Sequence, residues 1–321
     1  MLALYCGDDQ QVVLKDVPQP EPNTGEVLIR VTLAGICGTD LQILRGYHGF
    51  RGVMGHEFVG VVAGPQNSSW LGQRVVGEIN LSCGACDLCQ RGLSRHCRAR
   101  RVIGIKDRDG AFAPYLCLPA ANLLAVPSQV EDEAAVFTEP LAAALAVLET
   151  VPLPLKFPLL VVGDGRLGLL IAWALAKSEV EVHLVGHHDT HLALAYPYGV
   201  KTFLEKDLPP GDYEVVVEAS GAPSGLDLAL ARVRPRGLVV MKSTYAGRYP
   251  LDPAALVVPE VRLVGSRCGS FGPALRMLAR KWIDPRPLIA RQFPLSQGLE
   301  AFAWAQRPGV LKVLLDCREG G

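Results

Sequence analysis

Leu159-Leu-Val-Val-Gly163-Asp-Gly165-Arg-Leu-Gly168-Leu-Leu-Ile-Ala172 is the stretch on which the fold turns. Four apolar residues read as a buried strand, the glycines as a tight turn, and the residues after them as a helix. The turn carries G-x-G-x-x-G in the setting that gives the pattern meaning. Gly163 permits the turn, Gly165 lets backbone approach a pyrophosphate, and Gly168 lets the helix pack close to the sheet. The phosphates then meet the positive end of the helix, where Arg166 and Leu167 open it.

Downstream, apolar runs at 181–185, 214–217 and 237–241 alternate with helical patterns at 190–196 and 224–233. This spacing predicts βαβ units and a parallel sheet covered on both faces. A strand at 261–265, helices at 272–281 and 296–305, and a strand at 310–315 follow. Upstream, residues 1 to about 126 read differently. Short apolar runs at 27–34, 58–63 and 74–76 are separated by Gly, Pro and Asn, which predicts an all-β unit, a distorted barrel. Helices are expected at 131–136 and 141–150.

An acid at the end of the second parallel strand normally binds the ribose 2′-hydroxyl of NAD. Here that position is Gly186, followed by His187, His188 and Asp189. Without the carboxylate there is room for a 2′-phosphate, to which His187, His188 or Arg166 can donate. The expectation is NADP in preference to NAD; in the rival reading Asp189 binds the ribose.

The 321 residues suit two domains. Lys+Arg 32 balances Asp+Glu 32, so the basic excess of a nucleic-acid binder is missing. At 49% hydrophobic and 20% charged, the chain is neither disordered nor fibrous. Its most apolar stretches, 134–151 and 157–176, are interrupted by charge, so no membrane span is expected. The start, MLALYCGDDQ, does not read as a signal peptide. A cytoplasmic protein is expected, its nine cysteines reduced.

Cys83-Gly-Ala-Cys86-Asp-Leu-Cys89, with Cys97 seven residues further on, has the spacing of a four-thiolate structural zinc site. A redox dithiol and an iron–sulfur cluster are the competing readings. With four protein ligands such a site has no opening for substrate. A second set is more scattered: Cys37-Gly-Thr39-Asp40, Gly55-His56-Glu57 and Glu139-Pro140-Leu141. Taken singly these are a core thiol, a histidine and helix-start acids. Together they offer mixed S, N and O ligands to a zinc that keeps one position open.

In this order the motifs resemble the zinc-dependent medium-chain dehydrogenase/reductase superfamily, nearest its threonine and polyol dehydrogenases. The resemblance spans essentially the whole chain. It implies a GroES-like β-barrel catalytic domain at 1–135 and 267–321, with a Rossmann doubly wound domain inserted at 136–266. Cys37 and His56 would be catalytic zinc ligands, with Glu57 and Glu139 as alternative carboxylates, one bound directly and the other exchanging with it. Asp40 would hold the His56 ring, and Thr39 would accept the substrate proton. Two Zn2+ per chain are implied, one catalytic and one structural, in a homodimer or homotetramer. Where relatives commonly carry a relay histidine, this chain has Gln42, so His48 or Tyr47 would substitute through a water or the proton would leave by the cofactor ribose.

The implied reaction is hydride transfer between a nicotinamide and a zinc-bound alcohol, ketone or aldehyde. Two alternatives compete: a zinc-free quinone or enone reductase of the same superfamily, and a non-catalytic cofactor-binding redox sensor.

Overall fold

Residues 1–244 and 249–318 are described by the computed structural model. The chain divides into two units, Met1–Glu139 with Phe271–Gly321, and Pro140–Ser270.

The spine of the first unit is the strand Glu26–Ile36. Its burial alternates up to Arg30 and is continuous from Val31 onward. The outer half therefore has one wet face, and the inner half is core on both faces. It pairs antiparallel with Tyr115–Pro119, Glu57–Gly64 and Lys312–Asp316. The last of these comes from the far end of the chain, so the second unit is an insertion in the first. Arg74–Gly77 and Leu123–Ala125 extend the sheet on one side and Ile289–Pro294 on the other.

The second unit is a six-stranded sheet in the order Lys201–Leu204, Val182–Gly186, Leu159–Val162, Tyr213–Glu218, Val233–Met241, Arg262–Gly265. Every neighbouring pair is parallel. All four residues of Leu159–Val162 are buried, and helix Arg166–Ala176 buries every residue from Gly168 to Leu175. Strand order reverses between Leu159–Val162 and Tyr213–Glu218, which sets the glycine turn at the switch point where doubly wound sheets bind ligands.

Some elements differ from expectation, the strand Ile289–Pro294 among them. Lys201–Leu204, one of the sheet's two edge strands, is an addition: it is at most partly buried and offers no apolar run. The helix expected at 190–196 is Asp189–Ala193 followed by a 3-10 turn, Tyr196–Tyr198. Pro197 lacks the N–H a continuing helix needs. The helix expected at 141–150 starts earlier, as Thr138–Leu145, and ends in the 3-10 turn Ala146–Glu149. No helix among the described residues is long and apolar enough to cross a membrane.

Candidate active site

Cys37 directly follows the spine strand and caps helix Gly38–Ile43. Its backbone N–H donates to Asp40 Oδ2 at 2.7 Å, which fixes both residues at the helix start. The other carboxylate oxygen, Oδ1, lies 3.3 Å from His56 Nδ1, with both side chains buried. Burial opposes a charge on the His56 ring, but Asp40 and Cys37 outweigh it and raise the imidazole pKa well above its ordinary value. Thr39 Oγ1 is 3.8 Å from Cys37 Sγ.

Glu57 opens the strand that pairs with the spine. Cys37, His56 and Glu57 each present a donor atom, and the three atoms lie within 4.8 Å of one another. Glu57 Oε2 is ion-paired to Lys312 Nζ, and both side chains are 1% exposed. Glu57 Oε1 is buried with no hydrogen-bond partner. An orphaned, buried carboxylate oxygen is costly. A cation held by this sulfur, ring nitrogen and carboxylate would satisfy it, so the donor set fits a zinc. Glu139, in the first turn of Thr138–Leu145, lies outside this group of three. Gln42 and Tyr47 both have interaction partners; the His48 side chain lies outside the described residues.

The four sulfurs of Cys83, Cys86, Cys89 and Cys97 form a second group. They are 3.5 Å apart for Cys86–Cys89 and Cys83–Cys97, 3.8 Å for Cys86–Cys97 and 4.0 Å for Cys83–Cys89. A tetrahedron with zinc–sulfur bonds of ~2.3 Å has edges of roughly 3.8 Å. The sulfurs therefore already surround a zinc-sized space. The Cys89 backbone N–H helps pull the Cys86 thiol down to about 6.

In the second unit, Gly163 has φ 113, and a Cβ there would come within 2.7 Å of Ser220 Cα. Gly165 caps helix Arg166–Ala176 and has nothing within 4 Å of where a Cβ would lie. That open cradle at a helix N-terminus fits a dinucleotide pyrophosphate. Leu167 and Gly168 follow Arg166 in the helix's first turn.

The end of the adjacent strand requires a correction. Gly186 was expected to leave room for a 2′-phosphate, but a Cβ there would overlap Asp164 Cβ and Cγ. The side chain of Asp164, the first variable residue of the glycine turn, already fills that space. Its Oδ2 accepts the backbone N–H groups of His187 at 3.0 Å and His188 at 2.7 Å, and lies 3.0 Å from His188 Nδ1. Asp189, the rival ribose ligand, begins the next helix and is exposed.

Sequence reasoning left out two side chains that the structure brings to these sites, Asp164 and Lys312. Each left a signal: an acid inside a phosphate-binding turn, and a lysine inside the apolar run Val310-Leu-Lys312-Val-Leu-Leu315.

A nicotinamide-type oxidoreductase with zinc-ligand clusters is the class these features define. Residues 23–128 match the alcohol dehydrogenase GroES-like domain family. An L-threonine 3-dehydrogenase of Streptomyces avermitilis is 32% identical over 94% of this chain and 95% of its own. Among solved structures, an alcohol dehydrogenase of Escherichia coli CFT073 complexed with NADH superposes with a TM-score of 0.88. It is 27% identical and covers 98% of this chain and 99% of its own. A Sinorhizobium meliloti 1021 protein described as a zinc-binding dehydrogenase, bound to NADP, gives 0.87 at 27% identity, covering 98% of each chain. The chain belongs to the zinc-dependent medium-chain dehydrogenase/reductase family, the zinc-type alcohol dehydrogenases.

Proposed function

We propose that the protein transfers hydride between a nicotinamide dinucleotide and a secondary alcohol or polyol, with the carbonyl compound as the other member of the pair. The observation that carries this is the Cys37, His56 and Glu57 donor group with its orphaned Glu57 oxygen. When bound, zinc supplies Lewis-acid polarisation of the substrate oxygen, and the nicotinamide supplies the hydride chemistry.

The chain's own residues hold, orient and move a proton. Cys37 and His56 hold the metal, with Glu57 or Glu139 as the third protein ligand. Asp40 Oδ1 orients the His56 ring, a role outer carboxylates commonly play for metal-bound histidine. Thr39 Oγ1 accepts the substrate's hydroxyl proton. Thr39 gives up its own hydroxyl proton as it accepts this one; Gln42 cannot carry it at neutral pH, so it leaves by His48 or Tyr47 or by the cofactor ribose. The glycine turn and the N-terminus of Arg166–Ala176 hold the pyrophosphate. Cys83, Cys86, Cys89 and Cys97 hold a second, structural zinc, which suits a reducing, cytoplasmic setting. The substrate class follows the relatives, one of which is named for threonine, whose hydroxyl is secondary.

The test is zinc per chain by elemental analysis together with alcohol oxidation, on the native protein and on Cys37→Ser. The expected result is one zinc for each cysteine-containing group, falling to the lobe zinc alone in the variant, with loss of turnover. A zinc content untouched by Cys37→Ser would defeat the catalytic-zinc reading and leave the zinc-free reductase or the non-catalytic sensor.

A further inference from the structure

We propose that Asp164, acting from inside the glycine turn, takes the place of the missing strand-end acid and makes the site selective for NAD over NADP. The inference rests on the dinucleotide reading above and adds its selectivity.

In a standard site, the acid at the end of the second strand stands beside the adenosine ribose and accepts from its hydroxyls. In this chain Val182–Gly186 ends in glycine, and the Asp164 side chain lies against that glycine so closely that no other side chain fits. A carboxylate thus stands at the strand end although the strand does not supply it. Asp164 is 6% exposed. Its Oδ2 takes the three contacts from His187 and His188, which leaves Oδ1 to accept from a ribose hydroxyl. Burial would raise its pKa, but the N–H groups and ring of His188, with the His187 N–H, hold it below the usual carboxylate range.

Of the three groups expected to receive a 2′-phosphate, His187, His188 and Arg166, both histidines already face carboxylates. His188 Nδ1 is 3.0 Å from Asp164 Oδ2, and His191 Nδ1 is 3.9 Å from it. His187 Nε2 is 3.3 Å from Glu205 Oε2. Beyond the strand end, Gly186, His187, Leu204, Glu205 and Lys206 line an open groove, so Lys206 shares it with an acid. A phosphate dianion entering there would meet the charges of Asp164 and Glu205. Like charges brought together at a recognition site are strongly unfavourable.

The deciding experiment is direct titration of NADH and NADPH into the purified protein, followed by cofactor fluorescence, with no substrate present. The native protein is expected to bind NADH at least about tenfold more tightly than NADPH. Asp164→Asn keeps an oxygen that can accept the His188 backbone N–H but removes the charge. It is expected to narrow the ratio mainly by tightening NADPH, and Glu205→Gln is expected to move it the same way. Equal or tighter NADPH binding by the native protein overturns the proposal without any variant. So does an Asp164→Asn protein in which both affinities change by the same factor, since Asp164 would then only brace the turn. Binding of neither cofactor by the native protein would sink the dinucleotide reading itself, a distinguishable result.

Discussion

Lys312 and Glu57 are far apart in sequence, yet they meet in the core of the first unit. Lys312 Nζ also donates to the Ile36 carbonyl at 3.3 Å and lies 5.6 Å from the centre of the Phe137 ring. Replacing a buried ion pair as a whole is often tolerated, whereas removing one partner strands the other charge. Lys312→Ala would leave the Glu57 carboxylate buried without its cation. The expected cost is about 3–5 kcal/mol, a fall on the order of 10 °C in the unfolding midpoint of this unit. Lys312→Met combined with Glu57→Gln should recover much of that loss, because no net charge then stays buried. Thermal unfolding of the metal-free variants would check this, and an unshifted midpoint for Lys312→Ala would refute it. Single residues such as these were only half legible. A lysine inside an apolar run announces that a partner exists, but nothing nearby in the chain says that the partner is Glu57. In the same way an acid in a glycine turn is visible, while the emptiness of Gly186 that it fills is a property of two strands brought side by side.

At the scale of elements, the cysteine lobe has almost no core. From Cys83 to His96 no residue is fully buried, and its helix Asp87–Gln90 has only four residues. A segment of this kind cannot offset its own ordering entropy by apolar burial, so a bound metal would have to do so. Arg91 and Arg98 are exposed and Arg95 is half-buried, and all three become cleavable once the loop opens. Trypsin is therefore expected to cut the zinc-loaded protein slowly in this lobe, and the chelated protein, or Cys89→Ser, much faster. Peptide mapping of the first cut would decide, and equal rates with and without chelator would count against a structural zinc. The lobe was legible because ligand spacing within 15 residues is a local property. Long buried elements such as Leu159–Val162 and Arg166–Ala176 were legible from apolar pattern alone. Lys201–Leu204 was not, because an edge strand exposed along one side has no strong period to display.

For the whole molecule, Cys37, His56 and Glu57 come from segments that only the finished fold brings together, so family resemblance had to join them in the sequence. The described chain also leaves Arg262–Gly265 at the edge of the parallel sheet, hydrogen-bonded to a neighbouring strand on one side only. Val264 on that strand is 38% exposed, and Val257 and Val258 just before it are 73% and 80% exposed. An open strand edge beside exposed valines invites pairing with a second strand, and proteins that remain monomeric usually protect such edges with charge, bulges or covering loops. A second copy of this chain pairing along this edge would give the homodimer or homotetramer that the family resemblance implies. Light scattering on the eluting protein should then give an even multiple of the single-chain mass. Val258→Asp places a charge in the middle of the apolar patch and should shift the assembly toward smaller species, while NADH affinity stays as it was. A native protein that elutes as a monomer at micromolar concentration would show that the edge is left open, and the exposed valines would then need a different partner.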